Sequence, residues 1–375
     1  MIHREISDKK YQMDSLDGLR GFAALIVVVG HCSNVGLYFV PLLDLRGTAK
    51  SGVFLFFLLS SFLLTLPLLK KGREVLSFKV MSHYWQRRFF RIYPLYTVYL
   101  LFAVVCTWYF LRTTGNTDLV VPFELDWRGF VKHMALLDGA GVTWSIAVEF
   151  KFYFVLPFLV LAISYVRSFG YKAVILFFIA LMLLSQYVSP QGKSLISDTR
   201  LLPYMPVFIV GMFLAVLQDF VNRKGLRGNE RFVAVVRVLG FVGVIGVLLM
   251  TPSVLSLFGE RIPNWYFHKQ FIQYALVWSL VLFSAVNVDG VIQKFFTLKW
   301  LRYYGALSFS LYLFHPIFMI SLTNAGLSGY VAAWAVLALT TLTAYISFRV
   351  LEYPVSRFKL DSWWQQLNPR AAAGK

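Results

Sequence analysis

The sequence predicts an all-α, polytopic integral membrane helix bundle of about ten transmembrane helices, with both termini cytoplasmic. Three observations carry that expectation: the apolarity of the chain, the recurrence of bilayer-length apolar windows, and the sidedness of its cations. Of 375 residues 58% are hydrophobic and only 14% charged, and the mean hydropathy is +0.65, which is too apolar for a soluble domain to hide. Windows able to cross ~30 Å of hydrocarbon fall at about 19–38, 51–70, 93–111, 144–164, 171–189, 202–218, 232–251, 271–288, 304–323 and 329–349. Pro203 and Pro206 interrupt the start of the sixth, which reads as a kinked or partly re-entrant segment because proline removes an N–H and restrains the residue before it. With the N-terminus inside, 26 of the 36 Lys and Arg lie on the cytoplasmic side, 9 on the other and Lys151 within a span, as the positive-inside rule requires.

The predicted organisation is a cytoplasmic tail over 1–18, a membrane domain over 19–350 and a short cytoplasmic tail over 351–375. The start of the chain is polar and mixed in charge, with Arg4, Glu5, Asp8, Lys9 and Lys10, and lacks a cleavage pattern, so the first span reads as an uncleaved signal anchor. The net charge of +18 is a topology signal, since a nucleic-acid footprint needs a soluble basic domain and no separate domain or repeat is evident. Cys32 and Cys106 both fall in spans, where small buried hydrophobes are expected rather than a disulfide.

Ionisable groups inside spans are costly and therefore informative. Arg20 and His31 are eleven residues apart in the first span, which on a helix puts them on one face and about 16 Å apart along the axis. Arg87, Arg88 and Arg91 stand among aromatics at the entrance to the third span, a pattern that suits a phosphate group or a lipid-headgroup anchor. At the start of the fourth span Trp144-Ser145 precedes Glu149. A carboxylate there needs a partner, and His31, an acceptor hydroxyl or a helix-locking cation are the candidates. Ser145 and Glu149 share a face while Lys151 points elsewhere. Ser308, Tyr312 and His315 form an i, i+4, i+7 polar stripe in the ninth span. His315 precedes Pro316 and suits either a structural bond to a freed carbonyl or a chemical role. Glu352-Tyr353-Pro354 reads as a helix terminator whose carboxylate locks onto nearby arginines. The external loop 112–143 carries Asp118, Glu124, Asp126 and Asp138, which suits a sugar contact or a solvated connection.

Asp17-Gly18-Leu19-Arg20 with His31, Arg88-Phe-Phe-Arg91-Ile-Tyr-Pro94, Trp144-Ser145 with Glu149, the Ser308–His315 stripe and Glu352-Tyr-Pro354 together resemble the membrane-bound acyltransferase 3 family over essentially the whole chain. Those bacterial enzymes O-acetylate or otherwise O-acylate surface polysaccharides such as lipopolysaccharide O-antigen, lipid-linked sugars and some small molecules. One departure is visible: Ser60-Ser61-Phe62 stands where the family usually has Ser-Gly-Phe, and the lost glycine is expected to alter close helix packing.

The resemblance implies a multi-pass protein of the bacterial cytoplasmic membrane that moves an acyl group, acetyl first, from acyl-CoA to an extracytoplasmic glycan or lipid-linked sugar. Acetyl-CoA is then a co-substrate, with no tightly bound cofactor or metal. Membrane lipids surround the protein, nucleic acid is not a partner, and a homo-oligomer is left open. Arg20, Arg88 and Arg91 would hold the phosphates of coenzyme A, and His31 would be the base, since imidazole works near neutral pH without a large shift. Glu149 would orient His31, with Asp17 and Trp144 in support, and Tyr312 or Ser145 would hydrogen-bond the oxyanion. A covalent acyl-enzyme on His31 or Cys32 is the variant mechanism, ranked second because adjacent helical residues point about 100° apart. The short stretch after the tenth span is expected to carry no fused domain. A proton-coupled carrier of an anionic or glycan-linked solute is the competing class.

Overall fold

The computed structural model describes residues 2–41, 44–117, 121–259, 263 and 266–356, with side chains from residue 13 to residue 355 within those ranges. Asp118, Arg261, the tail 357–375 and the side chains of Arg4, Glu5, Asp8, Lys9 and Lys10 lie outside the described residues. Among the described residues the fold is helical without strands. Its main helices are α1 (Ile2–Asn34), α2 (Ala49–Leu69), α3 (Phe78–Thr114), α4 (Trp127–Met134), α5 (Trp144–Val166), α6 (Tyr171–Val188), α7 (Met205–Lys224), α8 (Glu230–Leu249), α9 (Phe271–Asn287), α10 (Lys299–Ala306), α11 (Ser308–Asn324) and α12 (Gly329–Ser347). The chain is a multi-pass membrane protein, with eight helices long and apolar enough to cross a bilayer among the described residues, or nine if the bent α10–α11 pair is one span.

Each of the ten apolar windows falls on a helix, but several bounds differ for physical reasons. The third window belongs to a 37-residue helix, roughly 55 Å long, so the Arg87–Arg91 cluster sits on the same rod as the span. Pro203 and Pro206 occupy the first turns of a 3-10 turn and of α7, where a missing N–H removes no helical bond; the segment enters without a kink. The ninth window breaks at Leu307, where α10 and α11 meet at 78°. The polar helix α10 lies against α1, and Arg302 there pairs with Asp14 at 2.6 Å. α9 has only 17 residues and is shorter than a standard span.

Burial orders the bundle. In α7 83% and in α2 72% of the apolar window is buried, against 11% in α6 and 17% in α8, so α2 and α7 form the centre and α6 and α8 face lipid. The central seam is aromatic: Phe208 of α7 stacks on Phe152 of α5 with ring centroids 4.0 Å apart and on Phe57 of α2 at 4.9 Å. A second, smaller cluster joins α1, α11 and α12 through Ala24, Val28, Cys32, Leu311, Ala333 and Val336.

Glycine sets two of the helix approaches. A Cβ on Gly18 would fall 1.7 Å from the carbonyl oxygen of Phe296, so the glycine of the Asp17-Gly18-Leu19-Arg20 run is needed for backbone contact. The second concerns the missing Ser-Gly-Phe glycine. Ser61 of α2 packs on Gly211 of α7, whose Cβ would meet the Ser61 Oγ at 1.9 Å. Close packing is retained because the glycine stands on the partner helix.

Candidate functional site

A cleft of about 780 Å³, including its open mouth, runs between α1, α2, α3, α5 and α11. On α2 its lining extends from Val53 to Leu64, about 16 Å along the axis. Arg20, Arg88, Arg91 and Glu149 line it together with Ser60, Tyr153, Ser145 and Tyr312. Arg20 of α1 thus shares the cleft wall with Arg88 and Arg91 of α3, distant from it in sequence. The exposed Arg91 marks the mouth, and buried Ser145 and Tyr312 mark the far end.

The charges of the cleft are unbalanced. Arg20 Nη1 is 3.6 Å from Asp17 Oδ1 one turn away. Arg88 and Arg91 make no ion pair among the described residues. The Arg88 Nε is buried without a hydrogen-bond partner there, while its guanidinium lies 5.9 Å over the Tyr153 ring. An orphaned guanidinium donor in a cleft favours an anionic guest.

Glu149 accepts a 2.7 Å hydrogen bond from the Tyr153 hydroxyl, which also lies 3.4 Å from Ser60 Oγ. This corrects two expectations: the partner of Glu149 is neither His31 nor a helix-locking cation, but the tyrosine one turn along its own helix. Ser145, Glu149 and Tyr153 share a face by i, i+4 spacing, so the signal for Tyr153 was present in the sequence. Lys151 points away and donates to the Thr199 carbonyl at 2.8 Å.

His31 stands beyond the far end of the cleft. Its Nδ1 is 2.8 Å from Nε2 of His315, and the Tyr312 ring, which lines the cleft, is 6.1 Å from the His315 ring. The Tyr312 hydroxyl donates to the Val142 carbonyl at 2.7 Å and is 2.7 Å from Ser145 Oγ, which ties α11 to the start of α5. Of the polar stripe of the ninth span, Tyr312 and His315 bond to protein groups, while Ser308 lines the cleft. Cys32 is buried in the α1–α11–α12 cluster.

Trp144 faces away from the cleft. Its ring lies 3.7 Å under Lys50 Nζ, which donates to Ser197 Oγ at 2.8 Å. Lys50, counted in the sequence as a loop cation, is a buried residue in the first turn of α2. Nearby, burial and the Lys50 charge push the His268 imidazole down to about 4. Asp198 is opposed by burial, but hydrogen bonds from Arg200 outweigh it and hold the carboxyl below the ordinary carboxylate range.

Glu352 lies past α12, where the chain continues through a π-turn into a further helical turn. It is not a helix terminator, and its carboxylate takes a short hydrogen bond from Ser310 with no ion pair among the described residues. In the 112–143 loop Asp126 caps α4 by accepting from the Gly129 N–H at 2.6 Å, and Asp138 accepts from Gly139. Both act in the backbone of the connection.

Comparison with known proteins places the chain in a family. No solved structure matches the chain. Among curated proteins it is 26% identical to the peptidoglycan O-acetyltransferase OatA of Listeria monocytogenes, over 93% of this chain and 56% of that protein. It is 22% identical to the O-acetyltransferase OatA of Staphylococcus aureus, over 92% and 57%, and 24% identical to a putative O-acetyltransferase of the same species, over 96% and 60%. The chain thus spans little more than half the length of these relatives. A family profile described as an acyltransferase domain matches residues 13–351, a range that contains α1 from Met13 and both ends of the cleft. The chain belongs to the acyltransferase 3 family.

Proposed function

We propose that the protein is a membrane O-acyltransferase. In this reading it transfers an acyl group, most simply acetyl, from cytoplasmic acyl-CoA to a hydroxyl of an extracytoplasmic glycan. The Arg20 face is then cytoplasmic, and the membrane is the bacterial cytoplasmic membrane. The observation that carries the reading is the cleft itself: Arg20, Arg88 and Arg91 gather at one end while two of them lack a carboxylate partner among the described residues. Such an end suits the phosphates of coenzyme A, and the rest of the cleft, where Val53, Phe57 and Leu59 stand beside Ser60 and Glu149, would take the pantetheine arm. The thioester would then come to rest beside Ser145 and Tyr312, whose hydroxyls would stabilise a developing oxyanion once released from the Val142 carbonyl.

His31 acts as the base on the acceptor side. Its ring takes the proton of the acceptor hydroxyl as that oxygen attacks the thioester carbonyl, the C–S bond breaks, and the thiolate leaves with a proton. His31 does not line the cleft, so Tyr312, which lines it and stands 6.1 Å from the His315 ring, would shift for the two substrates to meet. Glu149, held by Tyr153, tempers the positive cleft rather than orienting His31. The named substrate of the Listeria relative makes a cell-wall glycan the first acceptor to try.

Purified protein in nanodiscs with radiolabelled acetyl-CoA and glycan fragments tests the proposal. Thioester cleavage and label transfer are expected, and both should vanish in His31→Ala. Solute flux in liposomes without thioester cleavage would assign the protein to the carrier class instead.

A further inference from the structure

The two histidines are too far apart in sequence to be paired by pattern, and their geometry fixes more than proximity. The rings are within 14° of parallel with centroids 5.1 Å apart. For a nitrogen separation of 2.8 Å this puts both nitrogens nearly on the line joining the ring centres. The contact is an in-plane, edge-to-edge hydrogen bond and not a face stack.

The protons of this bond can be assigned from its far end. His315 is fully buried, and its Nδ1 lies 3.2 Å from the Leu311 carbonyl oxygen. It also faces the carbonyl of Tyr312, whose usual helical donor is missing because residue 316 is proline. Carbonyl oxygens only accept, so His315 Nδ1 carries a proton. In the neutral ring Nε2 is then a bare acceptor, and His31 Nδ1 must be the donor to it. The remaining nitrogen of His31, Nε2, is left with a free lone pair. His31 is only partly buried, and His315 covers its Nδ1 edge, so the uncovered edge is the one that bears Nε2.

We infer that His315 is a positioning residue that locks His31 in the Nδ1–H tautomer and thereby makes Nε2 the proton-accepting atom. This rests on the reading of His31 as the base. The chain Leu311 carbonyl, His315, His31 has the role that a buried carboxylate has behind other catalytic histidines, built from a neutral ring and a backbone oxygen. In the reaction Nε2 takes the acceptor proton, the acceptor oxygen forms the new C–O bond, and the C–S bond to coenzyme A breaks. The proton then passes from Nε2 to the departing thiolate. His31 returns to the neutral Nδ1–H form, and His315 keeps its own proton throughout. An anchor whose only purpose is to tie α1 to α11 would not need the Nδ1 of His315 to face carbonyls.

The test is ring-¹⁵N histidine NMR of the full chain in bilayers, with the His31 signals identified by their loss in His31→Ala. Wild type should show His31 Nδ1 as a protonated, pyrrole-type nitrogen and Nε2 as a bare, pyridine-type nitrogen. The opposite assignment overturns the inference. His315→Phe, which removes the acceptor, should give mixed His31 tautomers and lower kcat by about 100-fold with KM for acetyl-CoA unchanged. His315→Gln, whose amide oxygen can accept from Nδ1–H, should keep the tautomer and most of kcat. Equal kcat and an unchanged spectrum in His315→Phe would show the residue to be structural; if that variant does not fold, the wild-type spectrum and His315→Gln still decide. Should His31→Ala retain full thioester cleavage, the base reading fails by itself, whereas the spectrum reports on the tautomer lock independently.

Discussion

Ser61 on α2 and Gly211 on α7 meet so closely that a Cβ on the glycine would lie 1.9 Å from the serine Oγ and 2.6 Å from the Leu58 carbonyl. The two most buried helices of the bundle are therefore spaced by a hydrogen atom on one side and a hydroxymethyl group on the other. Gly211→Ala is expected to lower stability by about 1–3 kcal/mol through overpacking. Ser61→Gly introduced with it should recover part of that loss, because the two sites are in direct contact. Thermal unfolding of the single and double variants in detergent measures both. Additive effects would mean that the contact is not the cause.

Arg91 and Arg88 stand at the mouth and wall of the cleft without ion pairs among the described residues. Replacing either with alanine should raise KM for acetyl-CoA by roughly tenfold, the worth of one charge-assisted bond, and leave kcat within about twofold. Initial rates over a range of acetyl-CoA concentration, at low and high salt, show this. A fall in kcat at constant KM would move these arginines from donor binding to chemistry.

Cys32 is adjacent to His31 in sequence, yet it is buried among Leu311, Ala333 and Val336. Cys32→Ala should keep activity within about twofold and cost on the order of 1 kcal/mol of stability from the small cavity. Complete loss of transfer in a folded variant, read by labelled-product counting, would instead make the thiol an acyl carrier.

His268 titrates low in the folded protein, at about 4 against an ordinary value of 6.5, because of burial and the Lys50 charge. Between those values the unfolded chain binds the extra proton and the folded chain does not, so folding stability rises with pH across that window and is level above it. Wild type should lose melting temperature as pH falls from 6.5 towards 4, and His268→Gln should lose measurably less. Identical acid slopes for the two proteins would show that His268 makes no contribution.

The sequence carried the membrane class and the composition of the cleft because those signals are local or additive. Apolar windows located the helices, and the buried cost of Arg20, Arg88, Arg91 and Glu149 marked them as residues with a purpose. Pairing was harder to read. His31 meets His315 across 284 positions, and nothing in either helix alone distinguishes that partner from Glu149. Lys50 was hidden for a different reason: next to a loop, a lysine is expected in water, and only the tertiary approach of Trp144 and Ser197 buries it. The break at Leu307 was also invisible, since α10 and α11 are contiguous and the bend comes from α10 docking on α1.

The hydroxyl of Tyr312, fastened to Val142 and Ser145, has an effect that concerns the membrane more than the reaction. A cleft entered from the Arg91 end runs into the bundle and has this ring in its lining. If the cleft takes coenzyme A as proposed, water that follows it inward meets this ring, and an aqueous wire between the two faces would be interrupted there while the tyrosine holds its bonds. In that reading a highly charged nucleotide would enter the hydrophobic layer without opening a leak for protons or ions. In that reading Tyr312 would also seal the transmembrane gradient.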